Sequence, residues 1–143
     1  MKPLIVGEVN MLSADPKFAL YPYPANGSGG RLARILGLDP LVYLRMFDRM
    51  NLYSRIPVRW SIADARYRAA LLAEQQIGRQ VVMLLGRRVA EAFCPTSEHH
   101  SWAQIGQYYL IPHPSGRCRA WNDPTAIERT RTFLSPIMEN IRH

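Results

Sequence analysis

An uninterrupted apolar run, Val81-Val82-Met83-Leu84-Leu85, constrains the fold of this chain more than any other feature. A run of this kind, closed by Gly86, is typical of a strand that is buried on both faces at the centre of a parallel sheet. Parallel neighbours are joined by crossover connections, which are usually helices. The run therefore predicts an α/β protein with helices on both faces of its sheet.

The rest of the chain alternates between strand-like and helix-like patterns, as that fold requires. Further strands are predicted at Leu4–Val6, Arg49–Tyr53 and Tyr108–Pro112. Helices are predicted over Arg31–Leu36, Asp39–Phe47, Trp60–Ile77, Arg87–Phe93 and Pro124–Ile141. We therefore expect a single domain, residues 1–143, folded as a three-layer α/β sandwich with a mostly parallel four-stranded sheet.

Residues 11–30 form a segment of a different kind. It contains Asp15-Pro16, Tyr21-Pro22-Tyr23-Pro24 and Asn26-Gly27-Ser28-Gly29-Gly30, and each of these stretches breaks regular structure. A structureless loop of this length is uncommon inside a compact domain, and such loops are often functional. We expect this one to belong to the site.

Charge narrows the class of partner. The chain has 143 residues, of which 48% are hydrophobic, and a formal net charge of +7. Only Lys2 and Lys17 are lysines, so the excess is almost entirely arginine, whose planar fork binds phosphate bidentately. This pattern favours a polyanion such as nucleic acid as the partner, and the alternatives are an anionic membrane or a basic protein without such a partner. We expect the protein to be a monomer. No apolar run approaches the roughly 20 residues that span a bilayer, so we expect no membrane partner and a cytoplasmic location.

The metal-binding residue types do not cluster in this sequence. Cys94 and Cys118 are far apart and lack CxxC spacing, which predicts two free thiols. His99 and His100 are adjacent, so their side chains do not share a face, and no ligand cluster surrounds them. We expect no metal and no cofactor.

Several polar segments follow the predicted strands. In parallel sheets the site lies outside the carboxyl ends of the strands. The segments at those ends are 7–10, Asn51, 86–87 and 113–115. We expect these segments to meet in one cleft, although they are distant in sequence.

The motifs at these positions resemble those of the uracil-DNA glycosylase superfamily, in the same order. Gly7-Glu8-Val9-Asn10 is similar to the Gly-Glu-x-Pro-Gly motif of the branch that usually carries an iron–sulfur cluster, and Gly29-Gly30-Arg31-Leu32 is similar to an Ala-Gly-x-Leu helix start. Asn51 ends a strand, as in the family. Residues 113–119, His-Pro-Ser-Gly-Arg-Cys-Arg, resemble both the His-Pro-Ser motif of uracil glycosylases and the Asn-Pro-Ser-Gly-Leu-Ser-Arg motif of the mismatch-specific branch.

The chain departs from that pattern in two respects. Asn10 and Met11 stand where the Gly-Glu-x-Pro-Gly motif has Pro and Gly, and the cysteines of the iron–sulfur cluster are missing. The choice of base therefore cannot be transferred from any one branch.

The resemblance implies a DNA glycosylase that hydrolyses the N-glycosidic bond of uracil or a modified pyrimidine flipped out of DNA. His113 would donate a hydrogen bond to the base carbonyl as negative charge develops there. Glu8 or Asn10 would orient the attacking water, and the sequence leaves that choice open. The structural alternatives are a His before a proline turn, a salt bridge for Glu8 and a loop-capping bond for Asn10.

The resemblance also implies DNA, single- or double-stranded, as the partner, and it suggests which residues would bind the base and the DNA. Asn51 would read the polar edge of the base, and Tyr21 or Tyr23 would stack on it. Arg117 stands where the relatives have an apolar wedge, and Gly116 would let its loop approach DNA. The DNA-contacting set is Ser115, Gly116, Arg117, Arg119, Arg87 and Arg88.

Two other functions compete with the glycosylase. A binding module would keep the pocket for a modified base but would have lost hydrolysis, and the altered motif after Gly7 motivates it. A glycosidase for free nucleotides would not need a net charge of +7.

Overall fold

The computed structural model describes residues 1–76, 78–94 and 101–142. Its strands are β1 (Leu4–Val9), β2 (Asp48–Tyr53), β3 (Val82–Leu85), β4 (Ala103–Ile105) and β5 (Tyr108–Ile111). Its helices are α1 (Ser28–Ile35), α2 (Pro40–Met46), α3 (Ile62–Gln75), α4 (Arg87–Phe93) and α5 (Ala126–Arg142), with 3₁₀ turns at Pro16–Phe18 and Arg119–Asn122. None of the helices in these ranges is long and apolar enough to cross a membrane.

The sheet has the strand order β2-β1-β3-β5-β4, with β3 at its centre. β1 pairs in parallel with β2 and β3, and β3 pairs in parallel with β5. All four residues of β3 are buried, as the apolar run predicts. The α/β class and the mostly parallel sheet are therefore confirmed.

The expected count of four strands is wrong, because β4 adds a fifth. β4 runs antiparallel to β5 at the edge of the sheet, and a two-residue turn that begins at Gly106 joins them. Gly106 has φ +60°, a conformation that glycine adopts without strain. β4 has only three residues, none of them buried, so it is too short to show a periodic pattern.

The core lies in two layers, one on each face of the sheet. Alternate strand residues point to opposite faces. Ile5, Met83 and Ile111 pack against α1, α2 and α5, whereas Leu4, Leu84 and Leu110 pack against α4. α3 and α4 cover the end of β2 on that second face. Helices thus cover both faces, which is the three-layer arrangement.

The loop between β1 and α1 is shorter than predicted, because α1 begins at Ser28, after Gly27. The loop is held tightly at three points. The Tyr43 hydroxyl donates to the Leu20 carbonyl at 2.8 Å, and Arg49 Nη1 donates to the Ala19 carbonyl at 2.7 Å. A Cβ at Gly29 would lie 2.2 Å from the carbonyl oxygens of Leu20 and Tyr21. The loop therefore rests directly on the first turn of α1.

Gly29→Ala should destabilise the protein, although alanine is the better helix former. The added methyl group has no space beside the two carbonyl oxygens, and overpacking of this kind costs about 1–3 kcal/mol. Urea unfolding measures the loss. Ser28→Ala is the matched control, because that position already carries a Cβ, and its unfolding free energy should stay close to that of the parent. A Gly29→Ala variant as stable as the parent would contradict the close contact between Gly29 and the two carbonyl oxygens.

Candidate active site

A cleft of about 360 Å³ opens where β1 and β2 end. Its volume lies within the range of small-molecule sites, roughly 300–1,000 Å³. All six residues predicted for catalysis and base binding line it: Glu8, Asn10, Tyr21, Tyr23, Asn51 and His113. The first residues of α1 and Phe18 complete the wall. The structure thus brings together segments that are more than 100 residues apart in sequence.

Gly7 keeps the floor of the cleft open for Asn51. The two residues are partners in the parallel register of β1 and β2. The expectation that Asn51 ends its strand is wrong, because β2 continues for two more residues, to Tyr53, and pairs there with Val9 of β1. A Cβ at Gly7 would lie 2.7 Å from Asn51 Oδ1 and 3.2 Å from a methyl group of Leu20. Within the described ranges, the Asn51 side-chain amide makes no hydrogen bond. Its acceptor and both of its donors are therefore available to a ligand.

His113 follows β5 and is fixed from several sides. Its Nδ1 accepts a hydrogen bond from the Ser115 amide at 3.1 Å, and its carbonyl accepts one from Trp121 Nε1 at 2.7 Å. Gly86, at φ +87°, allows the close approach, since a Cβ there would lie 3.2 Å from His113 Cβ. Because Nδ1 is an acceptor, the neutral ring carries its proton on Nε2.

The charge state of His113 follows from two opposing effects. Burial lowers the pKa of the imidazole, because the charged form loses hydration, and the nearby Glu8 carboxylate raises it. The effect of burial is the larger, so the pKa of His113 lies below its ordinary value. At neutral pH the ring is a neutral hydrogen-bond donor at the wall of the cleft.

Glu8 and Asn10 differ in what their side chains already bind. Asn10 Nδ2 donates to the Phe18 carbonyl at 3.0 Å, and Asn10 Oδ1 accepts from the Leu12 amide at 2.9 Å. Asn10 therefore holds its own loop, which is the structural alternative considered for it. Glu8 has one distant partner, Arg88 Nη1 at 3.5 Å, and exposed pairs of this kind are weak. The Glu8 carboxylate thus keeps most of its capacity to bind water.

Three aromatic rings form one wall of the cleft. Phe18 meets Tyr21 edge-on at 5.3 Å between ring centroids, and Tyr21 lies 6.0 Å from Tyr23. The Arg49 guanidinium lies over Tyr21 at 5.6 Å, which supports that ring from behind. Sequence reasoning missed Phe18. Its signal was the aromatic side chain directly after the turn at Asp15-Pro16, in the same loop as the two tyrosines.

The predicted DNA-contacting residues lie in two places beside the cleft, the first turn of α4 and the loop after His113. Arg87 and Arg88 open α4, and Arg87 Nε pairs with Glu91 at 2.8 Å. Arg117 and Arg119 are exposed in the loop after His113 and make no ion pair within the described ranges. Ser115 Oγ accepts from the Arg117 amide at 3.3 Å, which shapes that loop.

Arg31 connects the loop after His113 to the loop between β1 and α1, and the sequence did not predict this role. A Cβ at Gly116 would lie 2.8 Å from Arg31 Nη2, so the guanidinium packs directly on the glycine. Arg31 Nε also donates to the Asn26 carbonyl at 3.2 Å. Gly116 therefore has a packing role within the protein, in addition to any approach to DNA.

The candidate metal-binding residues form no site in the described part of the chain. No group of three or more His, Cys, Asp or Glu side chains comes together there. Cys94 is a buried free thiol and Cys118 a partly exposed one. His99 and His100 lie outside the described residues.

Comparisons with known proteins add no family assignment. No family model matches the chain, and no curated protein matches it in sequence. The geometry of the cleft therefore carries the functional conclusion.

His113 should titrate below about 6.5, with its neutral form protonated on Nε2. Glu8→Gln should lower the pKa further, because it removes the carboxylate that favours the imidazolium ion. Side-chain ¹⁵N chemical shifts measured against pH give both the pKa and the tautomer. Arg87→Gln is the control, since Arg87 pairs with Glu91 and should leave the titration unchanged. A pKa above 6.5, or a neutral ring protonated on Nδ1, would refute this account.

Proposed function

We propose that this protein is a DNA glycosylase of the uracil-DNA glycosylase type. It would hydrolyse the N-glycosidic bond of uracil or a modified pyrimidine held outside the DNA helix. The observation that carries the proposal is the neutral His113, whose Nδ1 is occupied by the Ser115 amide and whose Nε2 proton is available in a cleft shared with Glu8 and Asn51.

The chemistry requires charge stabilisation at two points. Cleavage of the bond between N1 of the base and C1′ of the sugar leaves the electron pair on the base and positive charge on the sugar. The His113 Nε2–H group donates to the base carbonyl on which the negative charge accumulates. The Glu8 carboxylate orients the water that attacks C1′, accepts its proton and stabilises the sugar cation. These groups require no metal or cofactor for that reaction.

Recognition of the base rests on the floor and the aromatic wall of the cleft. The Asn51 amide offers an acceptor and two donors in one plane, and such a group distinguishes bases with opposite hydrogen-bonding edges. Tyr23 is 52% exposed and Phe18 is 37% exposed, and the Lys17 ammonium lies over the Phe18 ring at 5.0 Å, so Tyr23 is the more accessible ring for stacking. Base–aromatic stacking contributes about 1–3 kcal/mol per base and tolerates different bases. Asn51 would therefore set the selectivity and the rings the affinity.

The basic surface suits DNA and not a free nucleotide. The net charge is +7, and Arg117 and Arg119 stand unpaired within the described ranges beside the cleft. Each phosphate contact releases a bound counterion, which makes affinity large at low salt. A single nucleotide offers too few phosphates to use such a surface.

His113→Ala should lower the rate of base release by about 100- to 1,000-fold, because a preorganised donor to the leaving group is removed. Single-turnover release from single-stranded and duplex oligonucleotides with uracil or hydroxymethyluracil measures the rate. Glu8→Gln, which keeps the shape but removes the charge, should also slow release. Affinity for the same DNA should change little in both variants. If His113→Ala releases the base as fast as the parent while folded, His113 is structural.

Asn51→Ala should reduce the discrimination between bases more than it reduces the best rate, because the amide reads the edge of the base. The ratio of single-turnover rates for uracil and the other bases measures this discrimination. Asn140→Ala is the matched control, because Asn140 is an exposed asparagine on α5. An Asn51→Ala variant with the selectivity of the parent would remove Asn51 from base recognition.

One outcome would favour the binding module. If the parent binds DNA with a modified base but releases no base from any substrate, hydrolysis is absent and recognition remains. The bonds that Asn10 makes within its loop motivate that test, since they leave the water-binding role to Glu8 alone of the two candidates.

A further inference from the structure

The loop between β2 and α3 presents apolar side chains to solvent. Ile56 is 56% exposed and Val58 is fully exposed. Arg55 and Arg59 flank them and are exposed as well. Exposed apolar residues rimmed by charged ones are typical of an interaction surface.

The sequence of this loop keeps those side chains in place. Pro57 fixes its own φ and restricts Ile56 to extended conformations. Ile56 and Val58 are β-branched, so their χ1 angles are restricted. The loop therefore loses little conformational entropy when it binds a partner.

Trp60 anchors the loop beside the cleft. Its ring packs 6.1 Å from the Tyr53 ring at the end of β2, and the Arg88 guanidinium lies over it at 4.8 Å. Arg88 in turn lies 3.5 Å from Glu8 of the cleft. The loop therefore extends from the edge of the sheet at which the cleft opens.

The charges around the loop favour a polyanion. The nearby carboxylates already have basic partners: Glu8 faces Arg88, Asp64 faces Arg68 at 3.6 Å, and Glu91 faces Arg87 at 2.8 Å. Over the residues that the structure describes, Arg55 and Arg59 make no ion pair.

We propose that residues 55–59 form a second DNA-contacting loop, in which Ile56 and Val58 wedge against the bases beside the extruded nucleotide while Arg55 and Arg59 bind the flanking phosphates. The inference rests on the proposed function. Apolar side chains that insert between base steps unstack them and kink the duplex. The loop after His113, residues 115–119, exposes arginines but no large apolar side chain, so it does not supply such a wedge. Exposed apolar side chains lie instead in the β2–α3 loop and at Met11 and Leu12 in the lining of the cleft. The arginines beside Ile56 and Val58 favour the β2–α3 loop for the contact with DNA.

Fluorescence anisotropy of the full chain tests this loop, with a duplex that carries one uracil–guanine mismatch and with the same uracil strand alone. The double variant Ile56→Ala/Val58→Ala should bind the duplex about tenfold more weakly, equivalent to about 1.4 kcal/mol. Its affinity for the single strand should be unchanged, because there is no stack to open. Arg55→Gln/Arg59→Gln should weaken binding to both DNAs. For each phosphate that is no longer neutralised, the salt slope should fall by about 0.9 with the duplex and about 0.7 with the single strand.

Matched controls lie on α2, which lines no part of the cleft. Leu41 is 62% exposed and Arg45 is exposed, so Leu41→Ala and Arg45→Gln remove similar groups. Both controls should bind either DNA like the parent.

The outcomes separate this inference from the proposed function. If the parent binds the duplex and releases base while Ile56→Ala/Val58→Ala binds like Leu41→Ala, the loop serves another partner, such as a protein, and the inference is wrong. If that variant loses affinity for the duplex while the parent releases no base, the DNA-contacting role of residues 55–59 is supported and the proposed glycosylase activity is wrong. If the parent binds no duplex at low salt, both proposals fail.

Discussion

Parallel pairing of β1 with β2 and, through β3, with β5 is the constraint on which the site depends. Because these strands run in the same direction, the segments that follow them emerge at one edge of the sheet. Glu8 and Asn51 lie within the last three residues of β1 and β2, and His113 lies two residues after β5, so all three meet at that edge. Gly7 and Gly86 then allow the neighbouring side chains to approach more closely than a Cβ would permit. The sheet thus positions the three side chains, and the two glycines leave room beside Asn51 and His113.

The environment of His113 links stability to function. Because burial lowers the pKa of the imidazole, the folded protein binds this proton less readily than the unfolded chain. The corresponding stability is complete above about pH 6.5, the ordinary value for histidine, and is lost as the pH falls through the lower pKa of the folded state. The Glu8 carboxylate reduces this effect without cancelling it. A neutral donor is thus the stable form of the ring in the pH range where base cleavage would need it.

The loop between β1 and α1, which carries Phe18, Tyr21 and Tyr23, is ordered by contacts that other elements make to its backbone as much as by its own side chains. The Tyr43 hydroxyl on α2 donates to the Leu20 carbonyl, and Arg49 on β2 donates to the Ala19 carbonyl. Gly29 lacks the side chain that would push the Leu20 and Tyr21 carbonyls away. The wall of the cleft is therefore attached to the core, and its rings are in place without a ligand having to order the loop.

The sequence by itself determined the α/β class and the buried central strand, because hydrophobic periodicity is a local signal. Of the four polar segments that it placed at strand ends, those at 7–10, Asn51 and 113–115 contribute residues to the cleft, whereas 86–87 does not line it. The sequence did not reveal β4, whose three half-buried or exposed residues carry no period and depend on pairing with β5. Nor did it distinguish Glu8 from Asn10, since only the folded loop shows that the Asn10 amide is already engaged. Tertiary structure likewise decided the place of Phe18 in the wall, the packing of Arg31 on Gly116, and the position of Trp60, which Arg88 links to Glu8. Each of these roles depends on a contact between segments whose distance in space no local pattern records.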